Sequence, residues 1–307
     1  MENSTSTQTP TEYPTGLATP FIGRQTDLSR LKTLMSDPEK RLITLVGSGG
    51  IGKTRLALEI FNGCQNDFED GAFFLPLAFI RSTEEFFPFL AENLKVPVPP
   101  GVELIQTIFE YLSTRRMLIL LDNFEHLQDC ALTLRDLLAV APRVKFLVTS
   151  REKIGLQAET LYALEGFEIP SINDLKTIAE NEAIQLFLQK AQQMRPDFTL
   201  EKGNAPSMIQ VCHLVGGSPL GILLAAAWIE HFSPAEIAEQ INENLDFLSR
   251  HSKDSDPRHS SIRAVFDSTY QRLNEEQKSV LRKLTPFQGG FDLTAARAVS
   301  TADLQML

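Results

Sequence analysis

Residues 47–54 read Gly-Ser-Gly-Gly-Ile-Gly-Lys-Thr, set between the apolar run Leu42–Val46 and a helix-forming run that opens at Arg55. No other stretch of the chain restricts its fold as tightly. Strand, glycine-rich turn, Lys-Thr and helix is the layout of a P-loop. Glycines let successive backbone N–H groups curl around a phosphate without Cβ clashes. The helix that follows turns its positive N-terminal end toward the same anion. Phosphate binding is therefore expected from Gly47, Ser48, Gly49, Gly50, Ile51, Gly52, Lys53, Thr54 and Arg55. Lys53 reaches the terminal phosphates as a point charge, and the Thr54 hydroxyl suits Mg²⁺.

Gly47, Gly49 and Gly52 also satisfy a dinucleotide fingerprint. That reading requires an acid about 20 residues on, at the end of the second strand. The next strand candidate, 72–77, ends at Leu77 without one. It would also leave Lys53 and Thr54 without a role.

Apolar runs at 42–46, 72–77, 117–121 and 144–148 alternate with helix-like stretches, the pattern of a parallel sheet covered on both faces. The Pro-rich stretch Val96–Gly101 reads as a loop between two of those helices. From about Asp174 the strand signals end. Helical periodicity is expected over Asn181–Met194, Ala205–Val215, Leu220–Phe232 and Pro234–Phe247, then over Ile262–Leu273 and Glu276–Leu284, with a short helix from Leu293. The expected division is a flexible Ser/Thr/Pro-rich tail at 1–17, a P-loop domain at 18–170, a helical domain at 174–249, a polar linker at 250–258 and a last unit at 259–307.

A chain of 307 residues allows two or three such units. A formal charge of −10 argues against a dedicated nucleic-acid surface in this segment. The apolar runs stop well short of the roughly 18 residues of a membrane span, and the N-terminus has no signal-peptide pattern. Cys64, Cys130 and Cys212 match no metal spacing and, odd in number, fit a reducing cytosol. A cytoplasmic location is expected.

The run Met117–Leu121 ends in Asp122. A buried parallel strand there would deliver the carboxylate to the sheet edge beside the P-loop, where it can hold Mg²⁺ directly or through water. The competing reading is a helix cap for residues 123–127. The run 144–148 ends in Thr149-Ser150-Arg151, bringing a hydroxyl and a guanidinium to the same edge. Arg151 suits a γ-phosphate, being always charged and able to bond bidentately; a surface pair with Glu152 or Glu159 is the alternative. Lys53, Asp122 and Arg151 form the expected catalytic set. The base is open: Asn123 cannot take a proton, and Glu125 is the nearest carboxylate but also sits where it could stabilise a helix start.

Two more segments complete the pattern. Pro20–Leu28, with Phe21-Ile22-Gly23-Arg24, precedes an amphipathic helix, and Gly216-Gly217-Ser218-Pro219-Leu220 opens a later one. Together with the P-loop, the Asp122 strand and Thr149–Arg151, they resemble the STAND class of signal-transduction ATPases, which includes NB-ARC proteins and apoptosome-type ATPases. Residues 121–127, 148–152 and 263–299 look especially like its bacterial branch. The resemblance covers nearly everything after residue 18.

It implies an α/β P-loop NTPase domain, a small helical domain and a partial winged-helix domain. It further implies ATP or ADP, with Mg²⁺ at Thr54 and Asp122, and adenine against Phe21, Ile22, Gly23, Arg24 and Pro219. Nucleotide would set the angle between domains, and activation would favour self-association. Sensor and effector parts would lie outside this chain. The chain departs from the pattern at Ser218, where leucine is usual, and at Asn123, where a second acid is usual. The later histidine that contacts ADP in many relatives has no counterpart, since the chain reads as ending within the winged-helix unit. His213 reads as a partly buried structural residue, His251 and His259 as linker residues.

The expected function is a regulatory switch core with slow Mg²⁺-dependent hydrolysis. A nucleotide-stabilised scaffold without turnover is the alternative, motivated by Asn123. An AAA+-type remodelling motor is a more distant one.

Overall fold

In the computed structural model, alternate residues of the central strands feed two apolar layers. Leu118 and Leu120 of one strand join Leu147 of its neighbour on one face. Ile119, Leu121, Phe146 and Val148 face the other way. Five-residue apolar runs buried on both faces are what parallel pairing requires, because helices must then cover each side. The structure describes residues 20–171, 174–248, 273–285 and 292–300, with the isolated positions 263, 267, 270, 271 and 287.

The elements run α1 (Gln25–Ser36), β1 (Leu42–Val46), α2 (Lys53–Cys64), β2 (Ala72–Pro76), α3 (Thr83–Asn93), α4 (Leu104–Ser113), β3 (Leu118–Asp122), α5 (Ala131–Val140), β4 (Lys145–Ser150) and β5 (Glu159–Ala163). They build a five-stranded parallel sheet in the order β2-β3-β4-β1-β5. Helices α1 and α2 contribute Leu28, Leu31, Leu56, Ile60 and Phe61 to one layer. Helices α3, α4 and α5 contribute Phe86, Leu90, Ile108, Leu112, Leu134 and Leu137 to the other. Val96–Gly101 lies between α3 and α4, as its prolines predict.

The sheet has one strand more than the apolar runs predict. β5 pairs Glu159–Ala163 in parallel with Leu42–Val46. It is an edge strand, half-exposed along its length, with Leu161 49% exposed. Nothing buries it on both faces, so no continuous apolar run marks it.

Beyond the sheet, α6 (Leu175–Glu180), α7 (Glu182–Met194), α8 (Ala205–Leu214), α9 (Pro219–Ala226) and α10 (Pro234–Glu243) follow in succession. They close on a core of their own that includes Ile184, Phe187, Met208, Ile222, Ile237 and Ile241. Caps set their starts. Asn181 accepts from the Ala183 and Ile184 N–H groups, and Ser233 forms a reciprocal capping box with Glu236. The helix expected over 220–232 is shorter: α9 tightens into a 3₁₀ turn at Ala227–Glu230. The one expected over 234–247 stops where Asn244 turns extended (φ −157°). His213 is exposed on α8 rather than partly buried.

Two further helices, α11 (Glu275–Leu284) and α12 (Leu293–Ser300), fall in the region read as winged-helix. The expected tail at 1–17, the linker at 250–258 with His251, His259, and most of the helix over 262–273 lie outside the described residues. Among the described residues, no helix is long and apolar enough to cross a membrane.

Candidate nucleotide site

Three strands end together. The register sets Leu45 of β1 beside Thr149 of β4, and Leu121 of β3 beside Val148. The loop 47–52, Asp122 and Thr149–Arg151 therefore share the C-terminal edge of the sheet, the usual ligand edge of a parallel α/β fold. The loop takes the turns its glycines permit: Gly50 and Gly52 have φ +76° and +98°. A Cβ on Gly47 would stand 2.6 Å from the Leu164 carbonyl, so that position accepts no side chain. Lys53 opens α2 behind Gly52.

Lys53 is buried, and its Nζ donates to the carbonyls of Gly47 at 2.8 Å and Ser48 at 3.0 Å. Burial draws the ammonium down to about 8; Glu125 opposes this most strongly, Arg151 adds to it and Asp122 opposes it. A phosphate arriving at the loop would restore the charged form.

Asp122 is buried and its Oδ1 accepts two hydroxyls, Thr54 Oγ1 at 2.7 Å and Thr149 Oγ1 at 2.6 Å. Burial pushes its carboxyl above the ordinary range, and the bonds from Thr149 and Thr54 offset part of that shift. Thr149 Oγ1 also accepts the Asn123 N–H at 3.0 Å. Asn123 holds a left-handed conformation, φ +65° and ψ +49°, which asparagine tolerates better than most residues. That turn sends Phe124 into the core and brings Glu125 to the site, 3.2 Å through Oε1 from Arg151 Nε. Of the two acids considered as partners for Arg151, Glu159 accepts the N–H groups of Ile154 at 2.9 Å and Gly155 at 2.8 Å.

The donor set suits Mg²⁺. A hydroxyl and a carboxylate oxygen lie side by side, hard ligands for a hard cation. The buried Asp122 carboxylate has neutral hydroxyls on Oδ1, so a dication would offset a charge that burial disfavours. No group of three or more His, Cys, Asp or Glu gathers as a metal site among the described residues.

The 20–24 segment and α9 flank the loop. Arg24, also left-handed (φ +61°), donates through Nη2 to the Ile51 carbonyl at 3.1 Å and the Glu165 carbonyl at 2.7 Å. Its Nη1 pairs with Asp27 at 3.2 Å, and its guanidinium lies 4.5 Å from the centre of the Phe167 ring. Arg24 thus ties the N-terminal segment to the loop, a connection spanning 27 residues that the sequence pattern did not reveal. Arg55 stands over the Phe21 ring at 5.8 Å. From the other side, Pro219 Cγ stands 3.8 Å from a Cβ placed on Gly52. Ser218, where leucine was expected, caps α9 by accepting from the Gly221 N–H at 3.4 Å, and its hydroxyl donates to the Gly50 carbonyl at 3.3 Å.

Sheet order, loop and edge residues together define a P-loop NTPase fold. The chain belongs to the NB-ARC family, whose domain model matches residues 24–195. A putative HTH-type transcriptional regulator of Mycobacterium tuberculosis is 35% identical over 263 residues, which is 85% of this chain and 28% of that protein. The chain thus spans little more than a quarter of that relative. An uncharacterized protein of the same organism is 33% identical over 286 residues, covering 93% of this chain and 70% of its own length. The crystal structure of Cdc6p from Pyrobaculum aerophilum shares the fold with a TM-score of 0.50 at 15% identity, over 96% of this chain and 86% of that one.

Proposed function

We propose that this chain is the nucleotide-dependent switch core of a STAND-type signalling ATPase, hydrolysing ATP slowly with Mg²⁺. The observation that carries the reading is the meeting of Lys53, Thr54, Asp122 and Arg151 around one glycine-rich loop, with the start of α9 bonded to that loop. The loop N–H groups and Lys53 receive the β- and γ-phosphates. Thr54 and Asp122 hold Mg²⁺, which neutralises phosphate charge when bound. Arg151 binds the γ-phosphate and so separates ATP from ADP. Adenine rests between Phe21–Arg24 and Pro219. Because α9 touches the loop, the bound nucleotide biases how the helical part seats on the sheet. Sensor and effector segments, and self-association on activation, belong to the longer protein such a core serves.

The test is the nucleotide that co-purifies, identified by chromatography after denaturation, together with ATP affinity of Lys53→Ala. ATP or ADP at near-stoichiometric level, and loss of ATP binding in a variant that melts like the parent, are expected. Undiminished ATP binding by Lys53→Ala would remove the reading.

A further inference from the structure

Gly23, Gly50 and Gly52, which line the site, all have positive φ. Each is met by a side chain of the helical part. A Cβ built on Gly50 would stand 2.9 Å from Leu220, and one on Gly52 3.8 Å from Pro219. One on Gly23 would stand 2.7 Å from Cδ and 2.8 Å from Oε2 of Glu182. Leucine and proline bring apolar surface to the phosphate loop. Glu182 brings a carboxylate to the other wall, the 20–24 segment. We propose that Glu182 selects the base: its carboxylate accepts a hydrogen bond from the 6-amino group of a purine and turns away 6-oxopurines. This deepens the nucleotide reading above and rests on its placing of the base against Phe21–Arg24 and Pro219.

Local structure holds the group in place. Asn181 caps α7, accepting from the N–H groups of Ala183 at 3.0 Å and Ile184 at 3.3 Å, and its Nδ2 donates to the Glu168 carbonyl at 2.9 Å. Phe167, one residue back, donates its N–H to the Gly217 carbonyl at 2.9 Å. The first turn of α7 is thus pinned to the chain leaving β5, beside the loop that leads to α9. Ala183 and Ile184 turn into the helical core, and Glu182 before them leans on Gly23.

Packing alone does not call for an acid there. A carboxylate in a first turn suits the helix dipole wherever its side chain lies, so α7 has no need of one laid over Gly23. Among the described residues, the half-buried Glu182 carboxylate has no hydrogen-bond or salt-bridge partner, and its acceptor sites are open. An ionised carboxylate only accepts. Adenine presents an amino donor at position 6, where guanine presents a carbonyl oxygen. The group that bonds the first repels the second, so attraction and rejection come from one side chain.

The experiment measures the affinities of the parent, Glu182→Gln and Glu182→Ala for three ligands, with a melting curve for each protein. The ligands are ATP, inosine triphosphate with a 6-oxo group, and purine riboside triphosphate with only hydrogen at position 6. A hydrogen bond to a charged group supports a preference of about tenfold or more, so the parent should favour ATP over both analogues by about that factor. In Glu182→Ala the preference for ATP over purine riboside triphosphate should collapse to within about threefold, the latter's own affinity changing little. In Glu182→Gln, whose amide donates as well as accepts, inosine triphosphate should gain on ATP by about tenfold. A parent that binds ATP and purine riboside triphosphate equally overturns the assignment without any variant, and leaves nucleotide binding standing. So does a Glu182→Ala variant that loses both ligands alike and keeps the parent's ratio, which would make Glu182 a residue of the seam alone. A parent that binds no triphosphate removes the underlying reading, and this assignment with it.

Discussion

The backbone N–H of Leu220, in the first turn of α9, donates to the carbonyl of Gly50 in the phosphate loop at 3.1 Å. Ser218 Oγ reaches the same carbonyl. The loop is therefore read from both sides. Arg24 holds the Ile51 carbonyl from the N-terminal segment, and α9 holds the neighbouring one from the helical part. Any ligand that reshapes residues 50–51 must be felt by both.

Gly50→Ala tests that seam. The residue has φ +76°, and an added Cβ would stand 2.9 Å from the Leu220 side chain. Left-handed strain alone costs about 1–2 kcal/mol, and the contact adds to it. Lower stability in denaturant titration is expected, with weaker ATP binding. Gly203→Ala, at a position with open space and no positive φ, is the control and should change little. Equal stability of Gly50→Ala and the parent would show that the α9 contact is dispensable.

Arg151→Ala should weaken ATP more than ADP. A charge-assisted hydrogen bond to the γ-phosphate is worth about 1.5–3 kcal/mol, so the ATP/ADP affinity ratio should fall about tenfold or more. The variant also takes away the guanidinium that pairs with buried Glu125, so some stability is lost even without nucleotide. An unchanged ratio, measured by competition with a fluorescent nucleotide, would place the γ-phosphate contact elsewhere.

Asp122→Asn separates metal binding from fold. The amide keeps an oxygen for the Thr54 and Thr149 hydroxyls but removes a charge that burial disfavours. The nucleotide-free variant should melt at or above the parent's temperature at neutral pH. Its ATP affinity should lose the gain that Mg²⁺ confers, while binding in EDTA stays near the parent's. A variant that responds to Mg²⁺ like the parent would leave Asp122 a structural acceptor.

Which parts were legible in the sequence follows from how local their causes are. The P-loop needs only glycines and a Lys-Thr at fixed spacing, and β3 and β4 are buried on both faces, so Asp122 and Thr149–Arg151 stand out at the ends of apolar runs. β5 has no such run because it is half-exposed along its length, and its pairing with β1 depends on residues more than a hundred positions away. Glu125 was visible as a nearby carboxylate. Its aim into the site depends on a left-handed turn at Asn123 and on the Thr149 hydroxyl, neither of which periodicity records. Ser218 looked like a lost leucine contact; in space it is a cap that also touches the loop. Arg24 falls in the segment that the resemblance sets against adenine, and its grip on Ile51 and Glu165 depends on the two ends of the domain meeting, which no local pattern records.

That grip carries a last consequence, at high pH. Asp27, the partner of Arg24, also accepts the Tyr162 hydroxyl of β5 at 2.6 Å. Burial, with the hydrogen bond to Asp27 and its charge, pushes the phenol from its usual 10 up to about 12. The folded state thus holds the proton more tightly than the unfolded chain does. The contribution is complete below pH 10 and is lost as pH climbs from about 10 to about 12. Tyr162→Phe removes it. The variant should be less stable than the parent at pH 8 by about 1 kcal/mol, the scale of one partly exposed hydrogen bond. The difference should shrink when both are unfolded by denaturant at pH 11. A stability gap that stays constant between the two pH values would mean that the bond to Asp27 does not hold the Tyr162 proton, and that α1 and β5 are joined by packing alone.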